Sequence, residues 1–357
     1  MSDLQLLSAY EGPALSTPNR VVMAPMTRNR AGESRVANTM MATYYAQRAT
    51  AGLLVTESID VSPQAIGYPG TPGLYTTDMV EGWRGVVQAV RAAQPTAAPF
   101  FAQLFHTGRV SHTSLRPDGS APVAPSPIPA GLQLYTPSGM QDASPPRALE
   151  TDEIASVVGA YVAAARGAVE AGFDGVEINA GNGYLVEQFL RDGTNQRTDR
   201  YGGSVPNRLR FLVELVDALS DAIGSECVAV RVSPGNATNH CTDSDPETLY
   251  TALAASLEGR GLAYLHVVES AADPTITARM RAGFSGTLIA NSGYDKALAE
   301  AAIASGATDL VSFGTAFLAN PDLPHRLAEG ASLNEADPAT FYGGTEVGYT
   351  DYPTLGG

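Results

Sequence analysis

The chain has 357 residues, 44% hydrophobic and 17% charged, enough for two ordinary domains or one large α/β barrel with an ample core. Its net charge of −15 repels nucleic acid and anionic lipid, so both are discounted as partners. No apolar run reaches the roughly 18 to 20 residues of a membrane span, and the opening MSDLQLLSAYEGP lacks a signal-peptide pattern. Cys227 and Cys241 have no CxxC spacing, so neither a disulfide framework nor a metal site is expected, and a reducing cytoplasm fits.

In chain order, apolar β-rich runs fall at 20–26, 52–61, 99–105, 174–180, 227–234, 263–270, 287–293 and 309–314. Between them, segments 79–93, 153–172, 207–224, 246–261 and 295–307 repeat apolar residues every three to four positions, as helices packed on a sheet require. The runs are nearly continuous in apolar residues, the pattern of parallel strands covered on both faces. Eight strands with intervening helices predict a single-domain (β/α)8 TIM barrel spanning 1–357. A Pro-rich stretch at 116–150, within an insertion over 107–150, interrupts the alternation after the third strand. So long a loop in a compact barrel is expected to act as a lid or substrate-binding insert.

The chemistry of such barrels sits at the C-terminal ends of the strands. There the sequence carries polar or small residues where packing alone would favour Val or Leu: Thr27, then Glu57 and Ser58, then Gln103 and His106, and Arg231. The last two strands end in ANSG and FGT, small residues whose N–H groups suit a phosphate. The fourth strand breaks into Asn179, Ala180, Gly181, Asn182, Gly183 and Tyr184. A dinucleotide loop fails as an explanation, because Val186 occupies the position where close helix packing needs Gly or Ala. Singly, each residue is as well read as a satisfied core polar group or a turn. Together, in barrel order, they point to a planar, phosphate-bearing cofactor.

The stretches NRVVMAPMTRNR, SPQAIGYPGTPGLYT, QLFHTGRVSH, DGVEINAGNGYLVEQFLRDGTNQRTDRYGGS, NRLRFLVELVDA and FYGGTEVGYTDYP resemble, in collinear order from about residue 5 to 355, the old yellow enzyme family of FMN-dependent ene-reductases. The resemblance implies a tightly bound, non-covalent FMN. Its ring would be held by Pro25, Met26, Thr27, Ser58, Gln103 and Arg231, and its phosphate by Asn291, Ser292, Gly293, Gly314 and Thr315. It also implies NADPH or NADH as hydride donor and an electron-poor alkene as substrate. Asn179 and Asn182 would bind the substrate oxygen, Tyr184 would donate the proton, and Tyr68, Phe105 and Tyr349 would line the substrate cavity. The glycines beside the two Asn are expected to keep the space above the ring open. The assembly implied is a monomer or homodimer.

Three residues depart from the family pattern: Asn179 stands in place of His, Phe105 in place of Trp, and Thr315 in place of Arg. Two other readings remain. Nitro reduction or denitration of nitrate esters would use the same flavin, while a flavin-free phosphate-binding aldolase would need a Schiff-base lysine. The chain's single lysine, Lys296, falls on the helix after the seventh strand.

Overall fold

The computed structural model describes residues 4–270, 273 and 275–356. Among them, eight parallel strands close into one barrel: β1 (Val21–Met23), β2 (Leu53–Asp60), β3 (Phe100–Phe105), β4 (Gly175–Ala180), β5 (Val228–Val232), β6 (Tyr264–Val268), β7 (Leu288–Asn291) and β8 (Leu310–Phe313). β8 pairs with β1, and no edge is left open. The outer layer contains α1 (Thr39–Ala46), α2 (Thr77–Ala93), α3 (Glu153–Ala171), α4 (Leu185–Leu190), α5 (Val205–Ile223), α6 (Pro246–Leu257), α7 (Thr275–Ala282), α8 (Lys296–Ala304), α9 (Thr315–Ala319) and α10 (Leu323–Glu329).

Three local features shape the mouth. β1 ends at Met23, earlier than the apolar run, because Pro25 has no N–H for the ladder; the last rung is Ala24 N–H to Phe313 O at 3.1 Å. Residues 24–27 are thereby released as a shelf. β2 carries one extra residue against β3, with Val55 opposite Phe101 but Ser58 opposite Gln103. Thr56 Oγ1 fills this bulge, accepting the Gln103 N–H at 2.9 Å, and so Ser58 faces Gln103. The third feature is the insertion. It holds a hairpin of Gln133–Thr136 and Gly139–Asp142 and a short pairing of Val123–Ala124 with Arg147–Ala148.

α3 corrects one expectation. With a mean hydropathy of 1.3 over its best window, this 19-residue helix is long and apolar enough to cross a membrane by length and composition. It packs against α2, α5, β3 and β4, burying Ile154, Val157, Tyr161 and Ala164. Both cysteines are free.

Candidate active site

Barrel register sets the floor of the site. Gln103 lies opposite Glu177, and Arg231 lies between Asn179 and His266. From these pairings a continuous chain of buried hydrogen bonds follows. Ser58 Oγ donates to Gln103 Oε1 (2.7 Å), and Gln103 Nε2 donates to Glu177 Oε1 (2.7 Å). Glu177 Oε2 meets His266 Nδ1 at 2.8 Å, and His266 Nε2 meets Ser312 Oγ at 2.8 Å. Burial pushes the Glu177 carboxyl up, but His266, Arg231 and Gln103 outweigh it and hold the group below its ordinary value. Burial likewise lowers His266, so the pair is a carboxylate accepting from a neutral imidazole. Glu177, His266 and Ser312 were not anticipated. His266 and Ser312 are each a polar side chain within an otherwise apolar strand, the same signal that marks Gln103 and Arg231, while Glu177 shares its strand with Asn179.

Above this floor a cavity of about 1550 Å³ is lined on one side by Ala24, Pro25, Met26 and Thr27, and on another by Arg231, Asn291, Gly314 and Thr315. Arg231 Nη2 donates to Asn291 Oδ1 at 3.0 Å, while its buried Nε has no protein partner among the described residues. Ser292 and Gly293, both with positive φ, form the exposed turn after β7. A Cβ on Gly293 would meet nothing within 4 Å, and one on Gly314 would meet only Met26 Sδ at 3.8 Å. These positions fit FMN: a shelf for the ring, a buried cation at one edge of it, and open backbone at the phosphate end. Thr315 supplies no charge there. Ser58 and Gln103 do not line the open cavity but support it from beneath.

Tyr184 stands at the start of α4 with its hydroxyl 3.2 Å from that of Tyr68, and both rings line the cavity. Burial raises the Tyr184 phenol, and hydrogen bonds from Tyr68 and Asn239 partly offset the rise, so it stays protonated at neutral pH. Asn239, another residue the sequence did not single out, also donates from Nδ2 to Asn182 O at 2.8 Å. It does so with φ of 55°, left-handed backbone that Asn tolerates better than most residues.

Three expectations are corrected, and the Asn pair sits deeper than expected. Tyr349 does not line the cavity: it is 0% exposed, stacked on Tyr44 at 4.1 Å and covered by Arg28 and Arg30. Tyr342, 71% exposed, takes its place on the wall. Phe105 is buried behind Tyr184, the rings meeting edge to face at 4.5 Å, and so it supports the phenol rather than facing the cavity. Asn179 and Asn182 are also absent from the open wall. Asn179 Nδ2 donates to Gln103 Oε1 at 3.2 Å, while the side chain of Asn182 has no hydrogen-bond partner among the described residues. Finally, the glycines do not keep space open. A Cβ on Gly183 would lie 2.3 Å from Thr238 O, and one on Gly181 3.0 Å from Ser233 N, so both permit close approach of the loop after β5.

Residues 15–334 match the NADH:flavin oxidoreductase / NADH oxidase family. The chain is 44% identical to 12-oxophytodienoate reductase 1 of Oryza sativa subsp. japonica, covering 99% of this chain and 93% of that protein. Among solved structures, morphinone reductase in complex with tetrahydroNAD is similar with a TM-score of 0.94 and 47% identity, over 98% of this chain and 97% of that one. The old yellow enzyme homologue from Zymomonas mobilis is similar with a TM-score of 0.94 and 40% identity, over 98% and 99%.

Proposed function

The chain belongs to the NADH:flavin oxidoreductase / NADH oxidase family, the old yellow enzymes, with FMN as cofactor and a nicotinamide as hydride donor, and from that membership we propose that it reduces electron-poor alkenes: enones, nitroalkenes and maleimides. The observation that carries this reading is Tyr184, a phenol kept neutral by burial at the wall of a cavity whose floor and shelf fit the flavin.

Bound FMN supplies the chemistry of hydride transfer, from the nicotinamide in one half-reaction and to the β-carbon of the alkene in the other. The protein's part is to orient the alkene and manage the proton. Asn182, half-buried and off the open wall, has a side-chain amide without a protein partner among the described residues, which can turn toward the substrate oxygen. Asn179 uses one N–H on Gln103 and keeps a second to donate. Donors fixed before the reaction stabilise the negative charge that grows on that oxygen. Tyr184 gives its proton to the α-carbon, and Tyr68, itself raised well above its ordinary value by burial, remains a neutral hydrogen-bond partner. Asn is neutral at every accessible pH, so the clamp adds no titration of its own. The aldolase alternative lacks its nucleophile: Lys296 lies on α8 rather than on a strand end, and its Nζ donates to Leu327 O at 2.6 Å.

The test is a stopped-flow comparison of Tyr184→Phe with the native enzyme. Flavin reduction by NADPH should be nearly unchanged, and reoxidation by a simple cyclic enone should slow by about two orders of magnitude. Equal reoxidation rates would falsify the assignment of the proton donor.

A further inference from the structure

Four arginines line the large cavity, Arg28, Arg35, Arg116 and Arg231, against one acid, Glu33, in a chain that carries 37 acidic residues and 22 basic ones. Three of the four are committed. Arg28 donates to the Phe341, Thr340 and Gly348 carbonyls. Arg35 pairs with Asp60 and also binds Thr71 and the Tyr68 carbonyl. Arg231 belongs to the flavin floor. Arg116, on the insertion beside Ser114, Leu115 and Pro117, differs. It is 4% exposed, makes one hydrogen bond (Nη2 to Gln64 O, 2.7 Å), and no carboxylate lies within ion-pair distance among the described residues. Its Nε and Nη1 are buried without a partner. The acid whose field reaches it, Asp118, is exposed and already accepts the Ser120 N–H. Burial, ahead of these fields, lowers the Arg116 guanidinium to about 10, and it remains charged. Nearby His106 is held neutral by burial and then by Arg116 itself. A dry, unpaired cation at a cavity wall is costly unless an anion comes to it.

We propose that Arg116 is an anion-recognition point of this cavity, which takes an anionic group remote from the reacting carbons, carried either by the alkene substrate as a carboxylate or by the nicotinamide donor as a phosphate. The guanidinium reaches it by turning about its terminal torsions, exchanging the single bond to Gln64 O for a fork of two N–H groups that matches either oxyanion. The proposal rests on the cavity being the alkene and nicotinamide site assigned above.

The test compares native enzyme with Arg116→Gln and Arg116→Lys, all loaded with FMN. In the oxidative half-reaction the probes are a cyclohexenone bearing a carboxylate on a flexible chain and the methyl ester of the same compound. In the reductive half-reaction they are NADPH and NADH. Arg116→Gln should weaken binding of one anionic probe about tenfold or more, leave its uncharged or less charged counterpart within twofold, and be partly rescued by Arg116→Lys. A loss confined to the carboxylate places the anion on the alkene, and a loss confined to NADPH places it on the donor. Equal losses within each pair, or none, overturn the proposal. If no enone reoxidises the reduced native enzyme, the ene-reductase reading fails instead, a result the wild-type arm alone reveals.

Discussion

The floor of the barrel and the rim around its mouth are held by different kinds of bond. On the floor, side chain meets side chain: Ser58, Gln103, Glu177, His266 and Ser312 each need the next one's identity. At the rim, arginines hold backbone carbonyls. Arg109 donates to Ile128, Pro129, Asn239 and His240 oxygens, tying the insertion to the loop after β5, while Arg28 and Arg30 hold the segment from 340 to 348. A carbonyl is present whatever side chain follows it. The rim can therefore keep its shape while Tyr135, Met140 and Tyr342, all exposed on the cavity wall, are free to set what enters. The floor tolerates little substitution, whereas the rim has room to change.

The largest effect expected from this contrast is at Glu177. Glu177→Ala leaves Gln103 Nε2 and His266 Nδ1 buried without their acceptor, and each buried donor left unpaired costs roughly 1 to 3 kcal/mol. Urea denaturation measures it. A loss under about 1 kcal/mol would mean that the floor is no more demanding than the rim.

Glu57 joins the two regions, since its Oε2 accepts the Arg28 and Asn29 N–H groups at the end of the shelf. Burial, set against those two hydrogen bonds, raises its carboxyl from 4.5 to about 7. The folded chain thus holds a proton there that the unfolded chain has released. This contribution to stability is fully present below about pH 4.5 and is lost as pH rises through 7. Glu57→Gln keeps an oxygen for both amides and has no proton to lose. Between pH 5 and 8 its stability should rise relative to native by roughly 3 kcal/mol, read as diverging urea midpoints; parallel curves would show that Glu57 does not titrate in this range.

Neither Arg109 nor Arg326 is free to serve the phosphate end. Arg109 is spent on four carbonyls, and Arg326 on Asp322, Ser332 O and Pro353 O. Thr315→Arg should tighten FMN by about tenfold or more, a charge-assisted bond contributing roughly 1.5 to 3 kcal/mol. Fluorescence titration of the apoprotein decides this, and an unchanged dissociation constant points to a cation not yet identified.

The smallest effect on stability belongs to the rim wall. Tyr135→Ala and Met140→Ala should each stay within about 0.5 kcal/mol of native, as exposed sites do. Their relative rates on large and small enones should nonetheless change. Unchanged selectivity would move substrate choice away from the hairpin.

Much of the site was legible before the structure. The positions of Tyr184, of the buried arginine at 231 and of the small residues after β7 and β8 all follow from counting to strand ends, whereas the role of Tyr184 came from the family resemblance. Glu177 and His266 escaped because the search stopped at those ends, although each lies between apolar neighbours in the middle of its strand, Glu177 between Val176 and Ile178 and His266 between Leu265 and Val267. Phe105 was placed on the substrate wall by the family resemblance, whereas its contact with the Tyr184 ring puts it one layer behind.

The order of strands and helices was settled by the sequence, because periodicity is a property of neighbours a few residues apart and each element records it locally. Which residues meet was settled only by the closed barrel. Gln103 and Glu177 are 74 residues apart, and the register of β3 on β4 alone brings them together. The tyrosines of FYGGTEVGYTDYP make the same point. Tyr342 and Tyr349 occupy one irregular segment with no period to distinguish them. The ring of Tyr44 and the guanidinium groups of Arg28 and Arg30, more than 300 residues away, draw Tyr349 into the core and leave Tyr342 at the mouth.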